Sequence, residues 1–195
     1  MGKMNAILKG ETKVITGMVR LSYANIFEPK SINGSDPKYS VSLIIPKDDK
    51  QQVSVIEQAI KNAIEQDKSK LTGKNGKVPA NLKTPLRDGD VDRPDDEVYA
   101  NSYFLNANSN AAPMVVGLEK DAASDKAIHL GSDEVYSGCY ARVSVNFYGF
   151  NTNGNVGVAC GLGNIQKVMD GERLGGGSSA EDDFDFEDSE DDFLG

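Results

Sequence analysis

The chain alternates between stretches of period two and one stretch of period 3.6. Thr12 to Tyr23 is rich in β-branched and apolar residues, and Tyr39 to Ile45 alternates until Pro46 ends it, so both predict strands. Between them Glu28 to Pro37 is dense in turn formers and predicts a loop projecting from a sheet, with Lys30 and Lys38 at its edges. From Asp48 the spacing becomes helical. Val53, Ile56, Ile60 and Ile64 form an apolar stripe with Ala59 and Ala63 beside it, and Asp48 or Asp49 can cap a helix over about 49–68. Residues 69–98 carry Gly73, Gly76, Pro79, Pro85, Gly89 and Pro94, spaced so that no regular element runs far.

Strand-like runs resume at Tyr99 to Ala107 and Pro113 to Leu118. Tyr136 to Phe150 then places Cys139, Ala141, Val143, Val145 and Phe147 on one face and Tyr140, Arg142, Ser144, Asn146 and Tyr148 on the other. After a turn over 151–155, Val156 to Met169 supplies a partner with Val156, Val158, Cys160 and Leu162 at alternate positions. For the apolar sets to share a face, paired positions must sum to an odd number, as in Val145 opposite Cys160. That register separates Cys139 from Cys160 by ~20 Å along the ladder, too far for a disulfide.

Charge changes the picture in one place. The formal charge is −9, and 181–195 alone holds nine acids and no basic residue. Within the balanced body, 1–87 carries an excess of seven positive charges and 88–180 an excess of seven negative ones, so one part can face an anion. Gly171 to Ala180 is linker-like, and the tail beyond it combines its acids with Phe184, Phe186 and Phe193, more than solubility needs. No apolar run approaches a membrane span and no secretory leader is recognisable, which predicts a soluble intracellular chain with no membrane partner.

Catalytic chemistry finds little support. Two cysteines outside any C-x-x-C spacing and the single His129 give no zinc cluster, and nucleotide loops and nucleophile elbows do not occur. The run from Asp88 to Glu97 has acids at alternate positions but fails as an EF-hand, with Arg93 at the glycine position and Tyr99 at the bidentate glutamate position. A metal-dependent nuclease centred on Asp88, Asp90 and Asp92 is the alternative from another class, and an adaptor working through its tail is a third reading. The leading candidate is a surface for single-stranded nucleic acid, which needs aromatic stacking platforms and a basic path. Tyr140, Arg142, Asn146 and Tyr148 offer these on one strand, with Lys38, Arg87 and Arg93 from loops; no cofactor or metal is called for.

Several ordered phrases resemble the single-stranded-DNA-binding protein family of tailed phages and prophages. They are Arg20 to Pro29, Lys38-Tyr39-Ser40 with Ile45-Pro46-Lys47, Pro85 to Asp90, Tyr136 to Arg142, and Asp170 to Gly176, together covering about 10–178. The resemblance implies a mostly β fold: a five-stranded OB-type barrel over 1–170 with long loop insertions and one helix, a Gly/Ser linker over 171–180 and a disordered acidic tail over 181–195. It implies non-catalytic binding and protection of single-stranded DNA, largely independent of sequence, in phage replication or recombination within the host cytoplasm. Replication or recombination proteins would meet the tail through Phe184, Phe186, Asp191, Asp192 and Phe193, although the chain ends Leu-Gly beyond the last phenylalanine. A homo-oligomer stays open. An OB fold usually places its helix after the third strand, so an early strand near 4–9 or a split in 12–23 is expected. Read this way, Asp88 and Asp90 belong to an ordered loop beside Arg87.

Overall fold

The computed structural model describes residues 4–31 and 33–175. Its strands are β1 (Ile7–Lys9), β2 (Lys13–Ile15), β3 (Val19–Lys30), β4 (Lys38–Pro46), β5 (Leu86–Asp88), β6 (Ser102–Ser109), β7 (Val115–Lys120), β8 (Ala127–His129), β9 (Tyr140–Thr152) and β10 (Asn155–Met169). Helices α1 (Lys50–Gln66) and α2 (Lys68–Leu71) follow β4, α3 (Gly89–Asp92) follows β5, and a 3-10 turn spans Glu97–Tyr99. The strands form one sheet ordered β1-β2-β9-β3-β4-β6-β10-β7-β8, with β5 on β6; because β9 also pairs with β10, strands β9, β3, β4, β6 and β10 close a ring.

This ring is less regular than the expected five-stranded barrel. β3 meets β9 only through Val19↔Ala141 and Arg20↔Tyr140, and β6 meets β10 through the single parallel pair Gly161↔Asn108. Both early features expected from the sequence occur, but as an annex. The run over 12–23 breaks at buried Thr16, whose Oγ1 accepts from Val143 N–H, and at Gly17, where a Cβ would stand 2.6 Å from Met4 O. β1 and β2 therefore form a small hairpin on β9, outside the ring. The helix consequently does lie between the second and third ring strands.

The β9–β10 hairpin turns on Asn153-Gly154, both at positive φ (50° and 87°), the geometry of a two-residue type I′ turn. Its pairing puts Val145 opposite Leu162 and Phe147 opposite Cys160, odd sums as the face argument requires but two residues from the Val145–Cys160 pairing. Cys139 and Cys160 are both free and buried. Val143, Val145, Phe147, Leu162 and Ile165 fill the ring with Leu21, Val41, Leu43, Ile45 and Leu105. Each such side chain contributes roughly 1.5–3 kcal/mol by leaving water.

α1 starts where expected, with the Asp49 carboxylate accepting from Gln52 N–H, but its buried face is Gln52, Ile56, Ala59, Ile60 and Ala63. Val53 and Ile64 are only half-buried, a correction to the predicted stripe. The rotation follows from Gln52, whose Nε2 bonds Asp49 Oδ2 at 3.0 Å, and from two alanines that let the helix approach β9 closely. Residues 171–175 also depart from the linker expectation. Leu174 N–H donates to Ser137 O, Arg20 Nη2 to Glu172 O, and the Arg173 guanidinium lies 4.1 Å from the Tyr136 ring centre. Residues 176–180 and the acidic tail lie outside the described residues. Among the described residues no helix is long and apolar enough to cross a membrane.

Candidate nucleic-acid interface

Strand parity makes two faces out of β4 and β6. Val41, Leu43 and Ile45 face the core with Leu105 and Ala107, while Ser40, Ser42 and Ile44 face out beside Asn108, Asn106 and Phe104, their register partners. The outer face is divided by what covers it. Val98 and Tyr99 pack on its Ile44–Phe104 end, where Tyr99 is fully buried, meets Phe104 edge to face at 5.1 Å and donates its hydroxyl hydrogen to Ser42 Oγ at 3.1 Å. The Ser40–Asn108 end stays open as a groove of about 340 Å³.

A bulge supplies the groove's aromatic wall. The β3–β4 register shifts between Ser22 and Asn25, and Tyr23 takes φ +47°, rare for a non-glycine residue. The extra residue turns the Tyr23 ring outward, 59% exposed, whereas Leu21 and Ser22 before it are buried. Opposite stands Arg93, its guanidinium 4.6 Å from the Tyr99 ring centre, 5.0 Å from Phe104 and 5.1 Å from Tyr23. A cation held over three rings keeps its charge while losing freedom. Lys30 and Lys38, paired across the mouth of the 31–37 loop, line the same groove with Asn25, Asn106 and Asn108. A second depression continues past Tyr23 and Lys30 to Ser137, Leu174 and Gly175.

The acids of the 88–92 run hold cations of the chain itself. Lys47 Nζ lies 2.7 Å from Asp88 Oδ1 and 2.7 Å from Asp90 Oδ2, and Arg87 Nε lies 2.8 Å from Asp92 Oδ2. Asp88 also accepts from Asp90 N–H, and Asp90 from Asn101 N–H. Hydrogen bonds to Asp88 and Asp90 raise the Lys47 ammonium above its ordinary range, and the lysine holds both carboxyls below theirs. Among the described residues no group of three or more His, Cys, Asp or Glu is placed to hold a metal ion. Gly89 is buried where a Cβ would collide with the carbonyl oxygens of Tyr99 and Ser102, so this turn requires glycine.

The residues singled out from the sequence are distributed between two places. Lys38 and Arg93 meet in the groove. Tyr140, Arg142, Asn146 and Tyr148 share the outer side of β9 as parity predicted, yet differ in employment. Arg142 donates from Nε to Thr16 O and from Nη2 to Asn5 O, Tyr140 lies under Arg20 at 5.6 Å, and Asn146 Oδ1 accepts from Thr12 Oγ1. Tyr148 is 41% exposed. Arg87 is engaged by Asp92 and lies 5.5 Å from the Phe104 ring centre, on the covered end. Phe184, Phe186, Asp191, Asp192 and Phe193 lie outside the described residues. Sequence reasoning missed Tyr23, Asn25, Asn106 and Asn108. The last two were legible as polar positions alternating with Leu105 and Ala107, but nothing in the sequence marks the bulge that exposes Tyr23.

Comparison with known proteins places this geometry. The family described as the ssDNA-binding protein of Enterobacter phage Enc34 matches residues 12–194. Protein p50 of Acyrthosiphon pisum secondary endosymbiont phage 1 is 30% identical over 180 residues, covering 89% of this chain and 92% of its own. The fold is similar to the single-stranded DNA-binding protein of bacteriophage Enc34 in complex with ssDNA, at TM-score 0.68 and 23% identity over 90% of this chain and 100% of that one. It is also similar to gp2.5, a single-stranded DNA binding protein encoded by bacteriophage T7, at TM-score 0.56 and 15% identity over 82% and 93%. With nearly its whole length matched, the chain belongs to the Enc34 family of phage single-stranded-DNA-binding proteins.

Proposed function

We propose that this protein binds single-stranded DNA without catalysis and largely without regard to sequence, in the groove between Tyr23 and Arg93. One observation carries the reading: an exposed aromatic ring, a caged arginine and two lysines converge on the open outer face of β4 and β6. In OB-type folds this face and the loop joining its first two strands take oligonucleotides. Tyr23 offers a stacking surface indifferent to base identity, while Lys30, Lys38 and Arg93 follow the phosphates. The amides of Asn25, Asn106 and Asn108 can meet base edges or backbone. Tyr148 and Asn146, on the outer side of β9, are a secondary path in this reading. Membership of the family, the topology and the groove chemistry support it together.

The same reading places the protein in phage DNA replication or recombination in the host cytoplasm, with replication or recombination proteins engaged through the acidic tail. It is not an enzyme: labelled single strands incubated with the protein and Mg²⁺ or Mn²⁺ should keep their length.

Fluorescence anisotropy of a labelled oligonucleotide tests the groove. Tyr23→Ala should weaken binding by roughly 1–3 kcal/mol, the range for loss of one base stack. Arg93→Ala should lower the slope of log K against log salt by up to about 0.7, one single-strand phosphate contact. Wild-type affinity and slope in both variants, with folding intact, would remove the groove from the DNA path.

A further inference from the structure

We propose that Lys47 is a positioning residue for this groove: by bridging Asp88 and Asp90 it locks α3 to the end of β4 and so sets Arg93 over Tyr23. The inference rests on the single-strand reading above, and Lys47 is not among the groove's lining residues.

The latch has four ties at one point. Lys47 immediately follows β4, and its backbone N–H donates to Asn101 O at 3.0 Å, while its ammonium reaches Asp88 and Asp90. Asp90 uses its other carboxylate oxygen on Asn101 N–H at 3.0 Å. A single lysine thus gathers the start of α3, the residue before β6 and the end of β4. Arg93 is the first residue beyond α3 and bonds back to it, its N–H donating to Gly89 O at 2.9 Å. Any tilt of α3 therefore moves the guanidinium. Gly89 prevents the turn from settling inward, because Tyr99 and Ser102 leave no free space there. Outward release is the available motion, and without the ammonium the carboxylates of Asp88 and Asp90 would favour it by mutual repulsion.

Charge separates positioning from direct contact. Lys47 with its two carboxylates carries net −1, so the cluster as a whole does not attract phosphate. If Lys47 acts by holding Arg93, its removal and that of Arg93 must be non-additive, because each disables the same contact. If it were an independent phosphate contact, the two losses would multiply. Removing a carboxylate gives an opposite expectation: on electrostatics alone Asp90→Asn makes the surface less negative and should tighten DNA binding, whereas as part of the latch it should weaken it.

The experiment uses the full chain and a fluorescently labelled oligothymidylate. Lys47→Met should bind about three- to tenfold more weakly, within the range by which residues outside a site modulate it. Its salt slope should fall as that of Arg93→Ala does, and adding Lys47→Met to Arg93→Ala should cost nothing further. Lys47→Arg should restore most of the affinity. Asp90→Asn, which keeps an amide oxygen for Asn101 N–H, serves as the second variant where Lys47→Met folds poorly, and it should also weaken binding. Tighter binding by Asp90→Asn, wild-type affinity in Lys47→Met, or multiplied losses in the double variant would each overturn the positioning role. Arg93→Ala with wild-type affinity would overturn it too, while leaving binding elsewhere intact. A wild-type chain that does not bind the oligonucleotide would sink the single-strand reading and this inference with it.

Discussion

Arg142 and Arg93 are both candidates for phosphate contact on the sequence, and they have opposite employments. Arg142 lies on β9 with its guanidinium donating to the carbonyl oxygens of Thr16 and Asn5, so it ties the chain before β3 to the strand behind it. Arg93 has its guanidinium among three rings at the edge of an open groove. Hydrogen bonds made by charged groups contribute about 1.5–3 kcal/mol, and Arg142→Ala should cost stability of that order. It should leave the salt dependence of DNA binding unchanged. Denaturant melts and a salt titration on one preparation check both halves, and a lowered slope with unchanged stability would return Arg142 to the phosphate path. Parity along the strand was enough to put Arg142 outward. Which carbonyl groups wait for it there depends on residues more than a hundred positions away.

At the scale of elements, α1 was the most legible part of the chain and still turned by about one position from its predicted face. Ile60 is buried against the ring, whereas Val53 flanks the contact. Ile60→Ala should therefore cost on the order of 2–5 kcal/mol, the usual range for emptying a buried isoleucine site, and Val53→Ala clearly less. Equal losses in thermal unfolding would restore the stripe read from spacing alone. β3 is the contrasting element. Its existence was evident in Thr12 to Tyr23, but its start after a break at Thr16 and its bulge at Tyr23 both depend on neighbouring strands. The bulge matters most for function, because a regular strand would not turn that ring to the groove.

At the scale of the whole molecule, the chain that leads into the acidic tail is anchored beside the groove. The strap 171–174 is docked on 136–138, so Gly175 stands at the end of the depression that also holds Tyr23 and Lys30. The twenty residues beyond it, at up to ~3.5 Å each, are long enough to reach every part of the groove. Nine acids tethered there would compete with phosphates as a local polyanion. Deleting 181–195 should raise DNA affinity, most at ~20 mM salt and least at ~200 mM, where screening shortens the range of charge. Equal affinities of full-length and truncated protein at both concentrations would exclude competition and leave the tail to partners or solubility.

Sequence by itself determined what short-range periodicity encodes: the strands of the β9–β10 hairpin and their faces, a turn within 151–155, helix α1 with a cap at Asp48 or Asp49, and the separation of acidic tail from balanced body. These follow from steric and solvation preferences acting over a few residues. Ordered phrases along the body further pointed to the family. Only the tertiary structure decided that five strands close an irregular ring, that the early strands stand outside it, and that Asp88 and Asp90 grip Lys47. It alone brought Tyr23 within 5.1 Å of Arg93, seventy residues away in the chain. Such pairings depend on sheet register and on which backbone groups are left to be satisfied, and both are settled between elements rather than within them.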